Sequence, residues 1–166
     1  MRNAGWLLAL IAAAGAVPSS APAQAHAFHV ELLGPALLGS VNYEHLVGDH
    51  FSARVGVVYL PEFDTGSRVL APIMANVLVG TGMHRLEAGG GVVLTYATSR
   101  GAEEAPTVSE HGFRKPYGAA TVLYRLEPGG ALKGGIYRVG ITPLFFSGEM
   151  YQSYTISAGF FTPVFR

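Results

Sequence analysis

The chain has 166 residues, no cysteine, and 11 basic against 11 acidic side chains, a formal net charge of zero. That balance leaves no field of one sign to attract nucleic acid, and the missing thiols exclude disulfides, thiolate metal sites and a lipid-modified cysteine. Charged residues make up 13% of the sequence against a usual ~25%, and the 22 glycines are well above a ~7% share, too few charges for an ordinary soluble exterior.

The chain opens Met1-Arg2-Asn3, is apolar from Trp6 to Val17, and passes through Pro18 and Pro22 to Ala23-Gln24-Ala25. That order is a secretory signal peptide, residues 1–25, ending in an A-x-A site. The apolar run is too short to span ~30 Å of hydrocarbon at about 1.5 Å per residue, so cleavage is expected instead of anchoring. Residues 26–166 then form one domain, beginning near His26. An exported domain without disulfides needs another source of stability, and a closed ring of strand pairing supplies one.

Eight strands are expected, over residues 27–33, 38–47, 51–60, 69–79, 85–97, 117–126, 132–142 and 151–162. The alternation is clearest from Ser40 to Leu60. Val41 and Tyr43 share one face, Ser40, Asn42 and Glu44 the other, and after Gly48-Asp49 the odd positions from Phe51 to Tyr59 are apolar or aromatic. No segment after the signal repeats apolar residues at helical spacing. Pro35, Pro61, Pro72, Pro128, Pro143 and Pro163 fall at or near the expected strand ends, where a missing N–H does least harm. The second, fourth and sixth connections are short: 48–50, 80–83 and 127–130. The third, fifth and seventh, 61–67, 98–116 and 143–149, are mostly longer; the first, 34–37, breaks the trend. Short turns at one end and longer loops at the other suit a transmembrane barrel with its turns in the periplasm. The 98–116 loop is the most polar stretch, either a recognition loop or a solvated surface loop.

Bulk and charge then decide which face meets which solvent. The apolar parity carries Phe51, Val55, Val57, Tyr59, Leu86, Val92, Tyr96, Val122, Tyr124, Val139, Tyr154 and Phe160, and the opposite parity carries small and charged residues. An eight-stranded barrel has room inside only for side chains, and the small-and-charged set fits that space. In such a lumen Glu31, Glu44 and Glu87 face Arg54, Arg85, Arg125 and Arg138, as a gated or ion-selective pore or, better suited to so narrow a lumen, as a plug of mutual salt bridges. Tyr59, Tyr96, Tyr117, Phe145 and Tyr151 fall toward the long-loop end, and Phe51, Tyr124 and Phe160 toward the short-turn end, as two interfacial girdles. The expected fold is an all-β, eight-stranded antiparallel up-and-down (meander) transmembrane β-barrel.

With this layout the chain resembles the small outer-membrane β-barrel proteins of the OmpA/OmpX type. Glu31-Leu32-Leu33-Gly34 followed by Ser40-Val41-Asn42-Tyr43-Glu44 is also similar to the opening of uncharacterised outer-membrane β-barrel domain proteins. The resemblance implies an outer-membrane location, contact with its lipid and lipopolysaccharide, insertion by the barrel-assembly machinery, and a structural or surface role through the longer loops. It supplies no activity. Members usually end in a strand closing on an aromatic residue; here Tyr154, Ile156, Ala158 and Phe160 alternate suitably, but the chain continues through Pro163 to Phe165-Arg166.

Some small barrels modify lipid A, and His50-Phe51-Ser52 matches the His-x-Ser pair of the deacylases in letters. Alternation places His50 and Ser52 on the lumen side at a short-turn end, whereas that chemistry needs a lipid-facing nucleophile near the outer leaflet. His45, His50 and His84 lie near the short turns without the fixed ligand spacing of a zinc site. Gly80-Thr81-Gly82 lacks the lysine and following helix of a phosphate cradle, so no catalytic residue, metal site or cofactor is expected. Two alternatives to a noncatalytic membrane barrel stay open here: a lipid A-modifying enzyme in the same fold, and a soluble periplasmic barrel with its bulky face inward around an apolar ligand.

Overall fold

The computed structural model describes residues 24–62, 66–99, 112–129 and 134–162. The expected signal segment up to residue 23, the centre of the polar loop (100–111) and the terminal Pro163 to Arg166 lie outside the described residues. The strands are β1 (Gln24–Leu33), β2 (Gly39–Val47), β3 (Phe51–Glu62), β4 (Gly66–Val79), β5 (His84–Ser99), β6 (Gly112–Leu126), β7 (Gly135–Phe146) and β8 (Glu149–Thr162). Each pairs antiparallel with its neighbours in the chain and β8 returns to β1, closing the barrel and leaving no edge. The strand ends that flank 34–38, 63–65, 100–111 and 147–148 lie at one end, the mouth; those that flank 48–50, 80–83 and 127–134 share the other end with Gln24 and Thr162.

Loop lengths differ from the expected alternation. The seventh connection is the two-residue turn Ser147-Gly148, with φ of 50° and 94°. Positive φ at both central positions is the hairpin geometry that matches strand twist. The third connection shrinks to 63–65, while the sixth lengthens to 127–134. At the third and seventh connections the difference is a proline that stays inside its strand, Pro61 in β3 and Pro143 in β7. Pro72 and Pro143 lie inside β4 and β7, and the ladder steps over each: pairing passes from Val55↔Ile73 to Val58↔Leu70, and from Ala119↔Leu144 to Val122↔Ile141. Beside Pro116 the register slips between Val93↔Tyr117 and Thr95↔Arg114, a β-bulge that absorbs the missing donor.

Glycine sets how tightly the wall coils. A Cβ on Gly91 would lie 1.9 Å from the Ile73 carbonyl oxygen, and one on Gly159 2.3 Å from that of Phe28. Neighbouring backbones approach at these points to a distance that any side chain forbids.

The lumen is filled in three layers. Leu70, Met74, Val93, Tyr117, Ala119 and Leu144 form an apolar layer toward the mouth. Ala25, Ala27, Leu46, Ile136 and Phe161 form another at the terminal end. Between them lie buried His29, Glu31, Asn42, Glu44, Ser52, Arg54, Asn76, Glu87, Thr121, Arg125 and Arg138. The expected lumen of small and charged residues is therefore only its middle layer; large apolar side chains close both ends. Over the mouth the 3₁₀ turn Gly34–Ala36 is itself buried, and its Pro35 carbonyl accepts the Tyr117 hydroxyl at 2.8 Å.

Candidate functional site: the charged lumen and the mouth above it

The strands carry the ionic residues inward from different walls. Register sets Arg85 beside Arg125 and Arg125 beside Arg138, so three adjacent strands present like charges side by side. Unrelieved, such neighbours repel. Glu44, reaching across from β2, and Glu87, from β5, relieve them. Arg125 Nη1 donates to Glu44 Oε1 and Oε2 at 2.9 and 3.1 Å and to Glu87 Oε2 at 3.2 Å. Arg138 Nε donates to Glu87 Oε2 at 2.9 Å, and its Nη2 to Glu44 Oε2. The shared carboxylates cross-link β2 to β6 and β7 through the middle of the barrel. Arg54 Nη1 pairs separately with Glu31 Oε2 at 2.8 Å.

Two members differ from expectation. Arg85 is buried, but its Nη1 donates to the Asp49 carbonyl at 2.7 Å, tying the β2–β3 turn to the barrel wall. Glu127, absent from the expected set, accepts Arg125 Nε at 2.6 Å. It lies one residue past β6, where strand parity gives no orientation. With it, Glu31, Glu44, Glu87 and Glu127 stand against Arg54, Arg85, Arg125 and Arg138, and the buried charge sums to zero. The Arg125 guanidinium also lies 5.6 Å from the Phe161 ring centroid, so the charged layer sits directly on the apolar one. His29, which parity alone did not single out, is buried in the same layer. Each ion costs several kcal/mol to desolvate, which only pairing of this density offsets.

Outside, Phe51, Tyr59, Tyr96, Tyr124, Phe145 and Phe160 are exposed. Tyr117 and Tyr151 are corrections. Tyr117 faces the lumen because it shares the parity of inward Ala119, Thr121, Leu123 and Arg125 on an unbroken ladder, the bulge at Pro116 lying just before it, and its ring stacks on Phe146 at 4.1 Å between centroids. Tyr151 is exposed like the others, but it pairs opposite inward Leu144 and so stands on the lumen parity at the mouth, its ring edge-on against the same Phe146 and its hydroxyl donating to Glu149. Phe113, missed because it falls in the expected loop, packs edge-on against Tyr96.

Above this stack a cavity of about 630 Å³ opens at the mouth. Leu60, Leu70, Tyr117 and Phe146 line its apolar part, and Arg68, Arg114 and Lys115 its cationic rim. The slip at the bulge sets Arg114 opposite buried Thr95, on the lumen side.

The His50 and Ser52 pairing does not form. Ser52 is buried in the lumen, where its Oγ accepts from Asn76 Nδ2 at 3.3 Å, whereas His50 is an exposed residue of the β2–β3 turn and not, as parity suggested, on the lumen side. Among the described residues no group of three or more His, Cys, Asp or Glu gathers as metal ligands. The soluble alternative with its bulky face inward is overturned by sidedness, since the bulky face is outward and the ions are inside.

No family model matches the chain, and no curated protein matches it in sequence. Among solved structures it is similar to the N-terminal β-barrel domain of Pseudomonas aeruginosa OprF, with a TM-score of 0.59 and 9% identity over 84% of this chain and 96% of that one. It is also similar to Ail, the attachment invasion locus protein of Yersinia pestis, at a TM-score of 0.44 and 9% identity over 84% and 95% of the two chains. At 9% identity the OprF likeness establishes a shared fold, an eight-stranded antiparallel closed barrel.

Proposed function

We propose that this protein is a noncatalytic integral outer-membrane barrel with a sealed lumen, whose role is structural or is exercised at the surface through the mouth and the 100–111 connection. One observation carries the reading. Along the described strands the outward mid-wall positions hold mainly Val, Ile, Leu, Phe, Tyr, Ala and Gly, with histidines only toward the terminal end and no acidic residue, while Glu31, Glu44, Glu87, Arg54, Arg85, Arg125 and Arg138 are buried inside. Water outside would favour the reverse arrangement; hydrocarbon favours this one. In this reading the signal segment exports the chain, the barrel-assembly machinery inserts it, and lipid and lipopolysaccharide surround the outward belt. The apolar layers above and below the ions make the lumen a plug instead of a conduit.

The test is fractionation. Expected are extraction from membranes only with detergent, heat-modifiable migration on gels, and cleavage within 100–111 by protease added to intact cells. Recovery as a soluble periplasmic monomer would overturn the membrane reading, and steady single-channel conductance in planar bilayers would overturn the sealed lumen.

A further inference from the structure

On the outer wall at the terminal end, register sets His26 of β1 directly opposite His45 of β2. Their Nδ1 atoms lie 3.2 Å apart, and the Tyr43 hydroxyl lies 2.5 Å from the same His26 Nδ1. All three side chains are half-buried. The rings overlap as well: His26 stacks on Tyr43 with centroids 5.8 Å apart, and the two imidazoles are 4.9 Å apart.

A neutral Nδ1 offers either one N–H or one lone pair in the ring plane, and therefore one hydrogen bond. Here two polar atoms converge on it. Elsewhere at this end of the barrel the chain shows what a simple pair looks like: His84 Nδ1 meets the Tyr124 hydroxyl, with no second imidazole in the contact. His26 and Tyr43 repeat that pair, and His45 adds a nitrogen that hydrogen bonding can serve only by sharing the one lone pair between two donors. A cation accepts all three lone pairs at once. Two nitrogens each about 2.0–2.1 Å from one metal, at an angle between square-planar and tetrahedral, stand about 2.9–3.4 Å apart. The observed 3.2 Å falls in that interval, whereas the 2.5 Å between His26 Nδ1 and the Tyr43 oxygen falls short of it, so the hydroxyl has to draw back for a cation to enter.

We propose that His26 and His45, with the Tyr43 oxygen as third donor, form a transition-metal site on the outer wall, and that copper(II) is its preferred occupant. Imidazole donors suit copper, nickel and zinc, and among divalent first-row ions copper binds such sites most tightly. The ligands lie on paired strands of a closed barrel, so little freedom is lost on binding. Cleavage after Ala25 adds a donor: the α-amine of His26 closes a chelate through N, Cα, Cβ, Cγ and Nδ1. The imidazole pair does not depend on the membrane reading, since it follows from the β1–β2 register alone.

The experiment titrates copper(II) sulfate into the detergent-purified, folded barrel carrying no histidine tag, with binding followed calorimetrically and by electron paramagnetic resonance. Expected is one equivalent bound, with nitrogen hyperfine structure. His26→Ala and His45→Ala should each weaken binding at least about tenfold, Tyr43→Phe should alter the copper absorption spectrum, and His84→Ala and His50→Ala should leave both unchanged. Heat-modifiable migration of every variant shows that the barrel has formed. A barrel that retains Ala25 ahead of His26 should bind more weakly than one beginning at His26, and equal affinity strikes the amine from the ligand set. Unchanged binding in both His26→Ala and His45→Ala, or loss of the signal in His84→Ala, overturns the site.

Discussion

The two walls of a single strand show how differently this sheet is stabilised on its two sides. Along β3, Ser52, Arg54 and Gly56 face the lumen while Phe51, Val55, Val57 and Tyr59 face out; Arg54 is 2% exposed and Val57 53%. The inner wall gains from specific geometry: each guanidinium has carboxylates or a carbonyl within hydrogen-bond distance, and each close backbone approach has a glycine. The outer wall gains mainly from its surroundings, since apart from ring contacts such as Tyr96 on Phe113 its side chains are stabilised where the solvent is as apolar as they are. Substitutions should therefore be costly on the inside wherever they break geometry, and on the outside only where they carry charge.

The largest effect is expected at Arg125. Arg125→Ala strips a partner from Glu44, Glu87 and Glu127 together. Removing one side of a buried pair costs about 3–5 kcal/mol because it strands the other charge. Urea unfolding in lipid vesicles should show at least that loss. The double substitution Arg54→Leu with Glu31→Leu removes both members of an isolated pair and should cost far less, since no ion is left behind. Equal losses in the two cases would mean that the network is not held by pairing.

On the outer wall, Val122→Arg is the sharpest probe. Val122 is 53% exposed, and its neighbours in register are Ala88 and Ile141. In hydrocarbon an arginine at mid-wall costs about 2–4 kcal/mol, whereas on a wetted surface it would fall within about 0.5 kcal/mol of neutral. The same unfolding assay reads the difference, and a neutral result would place water against this wall.

Much of this contrast was legible in the sequence because alternation in a strand is strict, and because the two parities here differ in both charge and bulk. Parity was weakest where both faces are apolar. In Val77-Leu78-Val79 and Val69-Leu70-Ala71 both faces are apolar, so only parity carried over from Asn76 marks Leu78 and Leu70 as inward, and the apolar filling around the ions went unread. Tyr117 was legible as well, since it shares the parity of Thr121 and Arg125, but its place near the loop end drew it into the girdle. Glu127 was missed because it lies just past a strand, and the loop lengths because a proline inside a ladder looks, in one dimension, like a proline that ends one. The His26–His45 contact depends on β1 including His26, one residue before its expected start.

A smaller loss should follow Gly91→Ala. The new methyl would meet the Ile73 carbonyl and, at 2.8 Å, the Met74 Cα, so relief requires the sheet itself to shift. Overpacking of this kind costs about 1–3 kcal/mol, and a reduced yield of the heat-modifiable form should accompany it. Gly90 is the control: its added Cβ finds nothing nearer than the Ala119 carbonyl at 3.6 Å, and Gly90→Ala should be close to neutral.

The smallest effect is expected at the mouth, where inner and outer walls meet. Tyr117→Phe deletes only the hydroxyl that donates to Pro35, leaving the ring stacked on Phe146. One neutral hydrogen bond is worth about 1 kcal/mol net, and the barrel below should hold its stability to within that amount. The 3₁₀ turn depends on the same bond to stay over the lumen, so amide hydrogen exchange at Ala36 and Leu37 should quicken while exchange in β6 and β7 stays slow. Equal acceleration in all these segments would mean that the turn unfolds only with the whole barrel, and that the mouth has no local freedom separate from the wall beneath it.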